Sequence, residues 1–163
     1  MKRPDVLLDV AAKLSQRRFH MVGGPLRSAP ELFETSRTRA ASLGVHFHGA
    51  VAYRETSAMY GRARVFVNTS DVEGFPNTYL QAWASGTPVV AFFDPDGIIA
   101  REGLGATVKT AEEMTAAIQL LSRDEAQWHA AHARCLAFIE RHYGEAAVLQ
   151  PYLRSLDPPA TSP

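Results

Sequence analysis

The sequence predicts an α/β fold in three layers, a parallel sheet covered on both faces by helices, with a helical segment at the C-terminal end. Three observations carry this. Helix-period segments alternate with short apolar runs through the first two-thirds of the chain. From Thr110 onward the apolar spacing is helical almost to the end. Finally, 163 residues suit one domain, long enough to bury roughly two-thirds of its unfolded surface.

The elements follow in order. Pro4 opens a helix with Val6, Leu7, Val10, Ala11 and Leu14 on one face; proline costs nothing at a first helical position, where the amide has no partner anyway. Residues 18–22 read as a strand ending in Gly23-Gly24-Pro25. A Rossmann-like unit starts with a strand, whereas this chain starts with a helix. The expectation is therefore that a first strand is missing and the sequence is part of a larger protein. Residues 30–43 form a second helix carrying Leu32, Phe33, Ala40 and Leu43, stopped by Gly44; residues 45–48 form a short strand closed by Gly49. A third helix spans 54–62 with Met59 and Tyr60 inward, and 64–68 is the next strand.

Then comes Asp71-Val72-Glu73-Gly74-Phe75-Pro76, a helix over 77–85 stopped by Gly86, and a strand over 88–92. A turn at Asp94-Pro95-Asp96-Gly97 leads through Ile98-Ile99 to a brief strand at 106–108. Thr110 and Glu113 have the spacing of a capping box, followed by the stripe Met114, Ala117, Ile118 and Leu121. A longer helix over 125–142 places Trp128, Cys135, Leu136 and Ile139 at helical spacing, and Gly144 separates a last helix over 145–156. The expected domain is 1–156; the Pro-rich 157–163 reads as a disordered tail.

Composition narrows the function. Seventeen basic and seventeen acidic side chains are well mixed, which argues against a nucleic-acid partner. No apolar run approaches the ~20 residues of a membrane span, so membrane association is expected only through missing parts or an acceptor. Nothing at the N-terminus resembles a signal peptide, and one cysteine, Cys135, fits a reducing compartment; the expectation is cytoplasmic.

The stretch 71–91 concentrates the chemistry. Such βα loops, at the carboxyl ends of parallel strands, are where ligands bind in open α/β sheets. The helix entered after Pro76 presents free amides at Asn77, Thr78 and Tyr79, a seat for a phosphate. Gly74 lets backbone and ligand approach closely. Glu73 would repel phosphate and suits hydroxyls, which donate to a carboxylate in charge-assisted bonds; Gln81 could reach a diol. Phosphate seat, carboxylate and amide together describe a nucleotide sugar. The bland alternative is that Glu73 caps the helix and Gln81 is merely solvated.

Glu73-Gly74-Phe75-Pro76 through Gln81-Ala82, with Ala84-x-Gly86-Thr87-Pro88-Val89-Val90, resembles the nucleotide-sugar motif of glycosyltransferase family 4. Gly23-Gly24 and Tyr60-x-x-Ala63 fit the same pattern, so the resemblance covers nearly the whole chain. It implies the C-terminal, donor-binding half of a GT-B fold and transfer with retention. It also implies an acceptor site on an absent N-terminal domain, without which this chain is expected to be inactive. On the resemblance, Glu73 contacts hydroxyls of the transferred sugar and Gly74, Phe75, Pro76, Asn77 and Thr78 hold the diphosphate, with Gly23 and Gly24 at the donor site. Gln81 stands where relatives carry a ribose-binding glutamate, a departure that leaves an acceptor without ionic strength. Lys2 resembles the lysine that neutralises the leaving diphosphate; the usual arginine partner would precede Met1, and a solvated terminus is the alternative for Lys2. The resemblance implies a UDP-, GDP- or related donor and no cofactor or divalent metal. A nucleotide-sugar epimerase of the same fold and a non-catalytic binding module are the competing functions, and a receiver domain the structural one.

Other clusters read as structural before they read as sites. Asp94-Pro95-Asp96 reads as a β-turn before a metal site. His46 and His48 share a strand face, and His129 and His132 a helix face, each pair without a third ligand at a convincing spacing. Cys135, Trp83 and Trp128 read as packing residues, and Arg17, Arg18, Arg62 and Arg64 as solvated strand ends.

Overall fold

In the computed structural model, which describes residues 2–25 and 28–149, helices and strands alternate as the sequence predicts. The order is α1 (Pro4–Lys13), β1 (His20–Val22), α2 (Pro30–Ser42), β2 (His46–Gly49), α3 (Tyr53–Arg62), β3 (Phe66–Asn68), α4 (Asn77–Ala84), β4 (Val89–Ala91), a 3₁₀ turn (Pro95–Gly97), α5 (Ile98–Glu102), β5 (Gly105–Thr107), α6 (Ala111–Arg123) and α7 (Glu125–Tyr143). Residues 145–149 are also helical; the remainder of the helix expected over 145–156, and the 157–163 tail, lie outside the described residues. Helix α5 has no signature in the sequence, because Asp94-Pro95-Asp96-Gly97 reads as a turn and five residues show no period.

All strand pairs are parallel, but they fall into two sheets, β1–β2 and β3–β4–β5, where one sheet was expected. Helix α1 spans both. Val6, Val10 and Leu14 join the core over β4 with Met114, Ile118 and Leu121 of α6, whereas Leu8 and Ala11 join Ala40 and Val45 beside β2. A helix with apolar residues on two faces is what two separate cores require.

The densest packing surrounds β4. Val89, Val90 and Ala91 are fully buried, and a second cluster joins Val89 and Ala91 to Tyr79, Ala82 and Trp83 of α4 and to Cys135 and Phe138 of α7. Trp83 stands edge-on to Tyr79, Phe75 and Phe138, arrangements that favour the ring quadrupoles. Burial pushes the Cys135 thiol up to about 12, so it is a packing group, as expected. Gly105 is obligatory: its φ is 147°, and a Cβ there would lie 1.8 Å from the Val89 carbonyl oxygen. Gly86 ends α4 at φ 70°, and the His132 imidazole occupies the space a side chain would need, with Nδ1 2.7 Å from the Gly86 carbonyl.

Some expected faces differ. Leu32 and Leu136 are exposed, because α2 and α7 each bury a narrower stripe than their apolar residues suggest. Helix α3 buries no residue fully, although Tyr60 packs edge-on to Phe66. Arg64 is not a solvated strand end. Its guanidinium lies 4.3 Å from the Trp128 ring centroid, donates to the Leu121 carbonyl and pairs with Glu125 at 2.8 Å. The α6 capping box forms with a shift: the Glu113 amide donates to Thr110 Oγ1 at 3.1 Å, and the Glu113 carboxylate accepts from the amide of Lys109, not of Thr110.

Candidate functional site

The β3–α4 loop is built from a buried polar strand end. Asn68, Thr69 and Ser70 are all buried, and Asn68 Oδ1 accepts from the Ser70 amide at 2.8 Å, which turns the chain as it leaves the strand. Thr69 Oγ1 lies 3.0 Å from the Lys2 carbonyl and 2.8 Å from that of Arg3, tying the segment before α1 to this loop. The run of three small polar residues after an apolar strand was the available sequence signal for these two hydroxyls, and sequence reasoning missed it.

That tie brings together two residues 71 apart in sequence. Lys2 Nζ donates to Glu73 Oε1, so the two expected catalytic residues meet. The Glu73 side chain is only 18% exposed, while that of Lys2 is 69% exposed. Burial pulls the Glu73 pKa upward, but the Lys2 ammonium and the nearby Ser70 hydroxyl together outweigh it. The carboxyl is held below its ordinary value and is ionised at neutral pH. Ser70 Oγ is otherwise buried without a full hydrogen-bond partner, in the wall of the same loop. Arg3, also missed, adds a second cation: its guanidinium is 3.3 Å from Asp71 and 3.1 Å from Asp5. Its backbone is left-handed, φ 43°, a conformation that a residue with a side chain adopts at some cost.

Glu73 does not cap the helix. Pro76 occupies the N-cap position of α4, and no side chain bonds the first-turn amides. The Tyr79 amide, expected to be free, instead donates to the Pro76 carbonyl at 2.9 Å, leaving Asn77 and Thr78 as the open pair. Gly74 and Phe75 are exposed and Pro76 is buried, so the loop presents backbone outward on a fixed base. Tyr79 anchors that base: its hydroxyl donates to the Phe93 carbonyl at 2.9 Å, and burial, then the Glu73 and Asp94 charges, push its pKa up.

The remaining expected residues lie apart. Gln81 points toward α3, with Nε2 3.5 Å from Thr56 Oγ1. Gly23 and Gly24 follow the C-terminal end of β1 in the other sheet; the Gly23 amide donates to the Gly49 carbonyl at 2.9 Å. No hydrogen bond among the described residues joins either glycine to the Glu73 loop. Asp94 serves the fold: its carboxylate accepts from the amides of Ile99 and Ala100 and from Thr107 Oγ1, at 2.8, 3.1 and 2.8 Å. A carboxylate so engaged supports the turn reading over a metal ligand.

An ionised, mostly covered carboxylate, a lysine beside it and an uncapped helix start can hold hydroxyls on one side and an anion on the other. Parallel strands with such a loop at a carboxyl end define a ligand-binding α/β domain. Solved structures share this fold. The Anabaena protein HepE, solved with UDP and glucose, superposes with a TM-score of 0.76 at 19% identity, over 95% of this chain and 44% of that one. S. aureus TarM, solved with fondaparinux, alpha-GlcNAc-glycerol and UDP, gives 0.74 at 21% identity, over 94% and 32%.

Residues 1–124 match the family model described as "Glycosyl transferases group 1", and the chain belongs to that family. The D-inositol 3-phosphate glycosyltransferase of Streptomyces griseus subsp. griseus is 33% identical over 136 residues. That match covers 76% of this chain and 29% of the relative, so the chain spans about a third of the relative's length. No helix among the described residues is long and apolar enough to cross a membrane.

Proposed function

We propose that this chain is the donor-binding domain of a retaining, family 4 glycosyltransferase that takes a nucleoside-diphosphate sugar. The observation that carries the reading is the pairing of an ionised Glu73 with Lys2 directly ahead of the open first turn of α4. The amides of Asn77 and Thr78 receive the diphosphate, Gly74 and Phe75 line its approach, and Glu73 accepts from hydroxyls of the sugar. As the glycosidic bond breaks, negative charge grows on the departing diphosphate. The Lys2 ammonium and the helix amides are fixed positive groups placed to stabilise it, which is where electrostatic catalysis acts. These groups supply the charge that a divalent ion would, so the reading includes no metal requirement at the donor.

Lys2 exchanges partners in this scheme, leaving Glu73 for the diphosphate while Glu73 turns to the sugar. The structures solved with UDP make a uridine donor the first to test. The reading includes an N-terminal acceptor domain and a strand ahead of α1. The division of the parallel strands into two sheets whose cores α1 joins, and the one-third span of the curated relative, support it. A cytoplasmic setting belongs to the same proposal, supported by a lone buried thiol.

Calorimetric titration with UDP and GDP, with EDTA present, tests the donor site. Saturable binding of one nucleotide below about millimolar concentration supports the reading, since 1 mM corresponds to only about 4 kcal/mol. Silence toward both nucleotides at that level argues against a working donor pocket.

A further inference from the structure

The β1–β2 pair carries a cluster that the donor-site reading does not use. Met21 and Phe47 face the core shared with α1 and α2, so the alternate residues His20, His46 and His48 face the other way, and all three are exposed. His20 pairs directly with His46 across the two strands. The register then slips between Met21 and Val22, so that Val22 meets Gly49 and His48 is left without a strand partner. Such irregularities re-aim side chains. The His48 ring turns back onto His20, with Nε2 2.9 Å from His20 Nδ1, and His20 is stacked with both neighbours at centroid distances of 4.9 and 5.2 Å.

We infer that His20, His46 and His48 form a binding site for a transition-metal dication of the zinc class. The residue pair His46-x-His48 projects two imidazoles from one strand, about 6.6 Å apart along it, and His20 supplies a third from a strand about 4.8 Å away. Neutral imidazole nitrogens are the donors that zinc, nickel and copper prefer, and three of them with one open position make a familiar coordination set. The rings stack instead of converging, and among the described residues no three such side chains already surround one point. Binding therefore turns the His46 ring onto the His20–His48 pair, whose nitrogens are already in contact. The charged group known to face the cluster is Arg18, which opposes a dication, so affinity must come from the nitrogen donors and not from local negative charge.

The test is titration of tag-free protein with zinc chloride alone, near pH 7.5 and near pH 5.5, by calorimetry and by the imidazole proton resonances. One equivalent should bind at the higher pH, shift the resonances of all three histidines and weaken on acidification, because ligation competes with protons. Loss of a true ligand in His20→Ala or His48→Gln should weaken binding at least as much as the roughly tenfold to hundredfold cost of losing a supporting partner. His129→Ala, on the exposed surface of α7, should change nothing. Absence of binding to about millimolar zinc, or equal affinity in wild type and His48→Gln, would overturn the site. UDP titration on the same variants keeps this outcome separate from that of the donor reading.

Discussion

The two sheets are made of the same kind of short parallel strand, yet they are stabilised differently. In β3–β4–β5 the central strand is buried along its whole length, with α4 and α7 on one side and α1 and α6 on the other. In β1–β2 neither strand has a fully buried residue, and one face presents histidines to solvent. The candidate donor loop leaves from the first sheet. A site that must hold backbone amides and a carboxylate at fixed positions gains from standing on packed strands, whereas a weakly buried sheet tolerates polar clusters on its open face.

The comparison is broken most severely at Gly105. Gly105→Ala drives a Cβ into the Val89 backbone, and a loss beyond about 4 kcal/mol is expected, read as failure to show cooperative urea unfolding. Next is the contrast of cores. Trp83→Ala removes a fully buried ring from the α4 cluster and should cost about 3–5 kcal/mol. Phe47→Ala, at a half-buried position edge-on to Phe33, should cost clearly less in the same urea series. Equal losses would mean that the two sheets do not differ as their burial indicates.

Function should divide along the same line. Glu73→Ala should weaken binding of a UDP-sugar by about tenfold to a hundredfold, the worth of hydrogen bonds to a charged group, with little effect on UDP itself. Its effect on unfolding should be small, because its partner Lys2 is largely exposed.

Acid should act on the other sheet. The folded pKa of His20 lies below its unfolded value of about 6.5, so in that window the unfolded chain binds more protons and stability falls as pH falls. Protection factors of the β1 and β2 amides, corrected for the pH dependence of intrinsic exchange, should therefore fall between about pH 7.5 and 5.5, and His20→Gln should flatten the change. The smallest effect is expected for Gln81→Glu. If Gln81 reaches a ribose diol, an ionised acceptor should tighten UDP binding a few-fold; unchanged affinity would leave Gln81 a helix-packing residue beside Thr56.

Much of this was legible in the chain. The alternation of periods placed the helices and strands that the structure contains, α5 apart, because a helix face and a buried strand each require their own spacing of apolar residues. Boundaries moved by one or two residues, as at β4, which spans Val89–Ala91 where 88–92 is expected. The loop of Glu73, Gly74 and Pro76 was legible for a different reason: glycine, proline and carboxylate are adjacent in sequence, so their shared purpose needs no tertiary contact to be seen. Helix α5 was not legible, since its start is fixed by the Asp94 carboxylate, a contact that no periodicity records.

The sequence by itself determined the α/β class, the position of the ligand loop and the residue types that loop contains, because each depends on neighbours within a few positions. Tertiary structure decided what depends on distant pairs. It joined Lys2 to Glu73 through the Thr69 hydroxyl, freed Glu73 from a capping role and divided the strands into two sheets. It also supplied a third imidazole to His46 and His48 from a strand 26 residues earlier, since His46 pairs with His20. Strand register, set by which faces must be buried, is the physical reason: it brings together side chains that no local spacing relates.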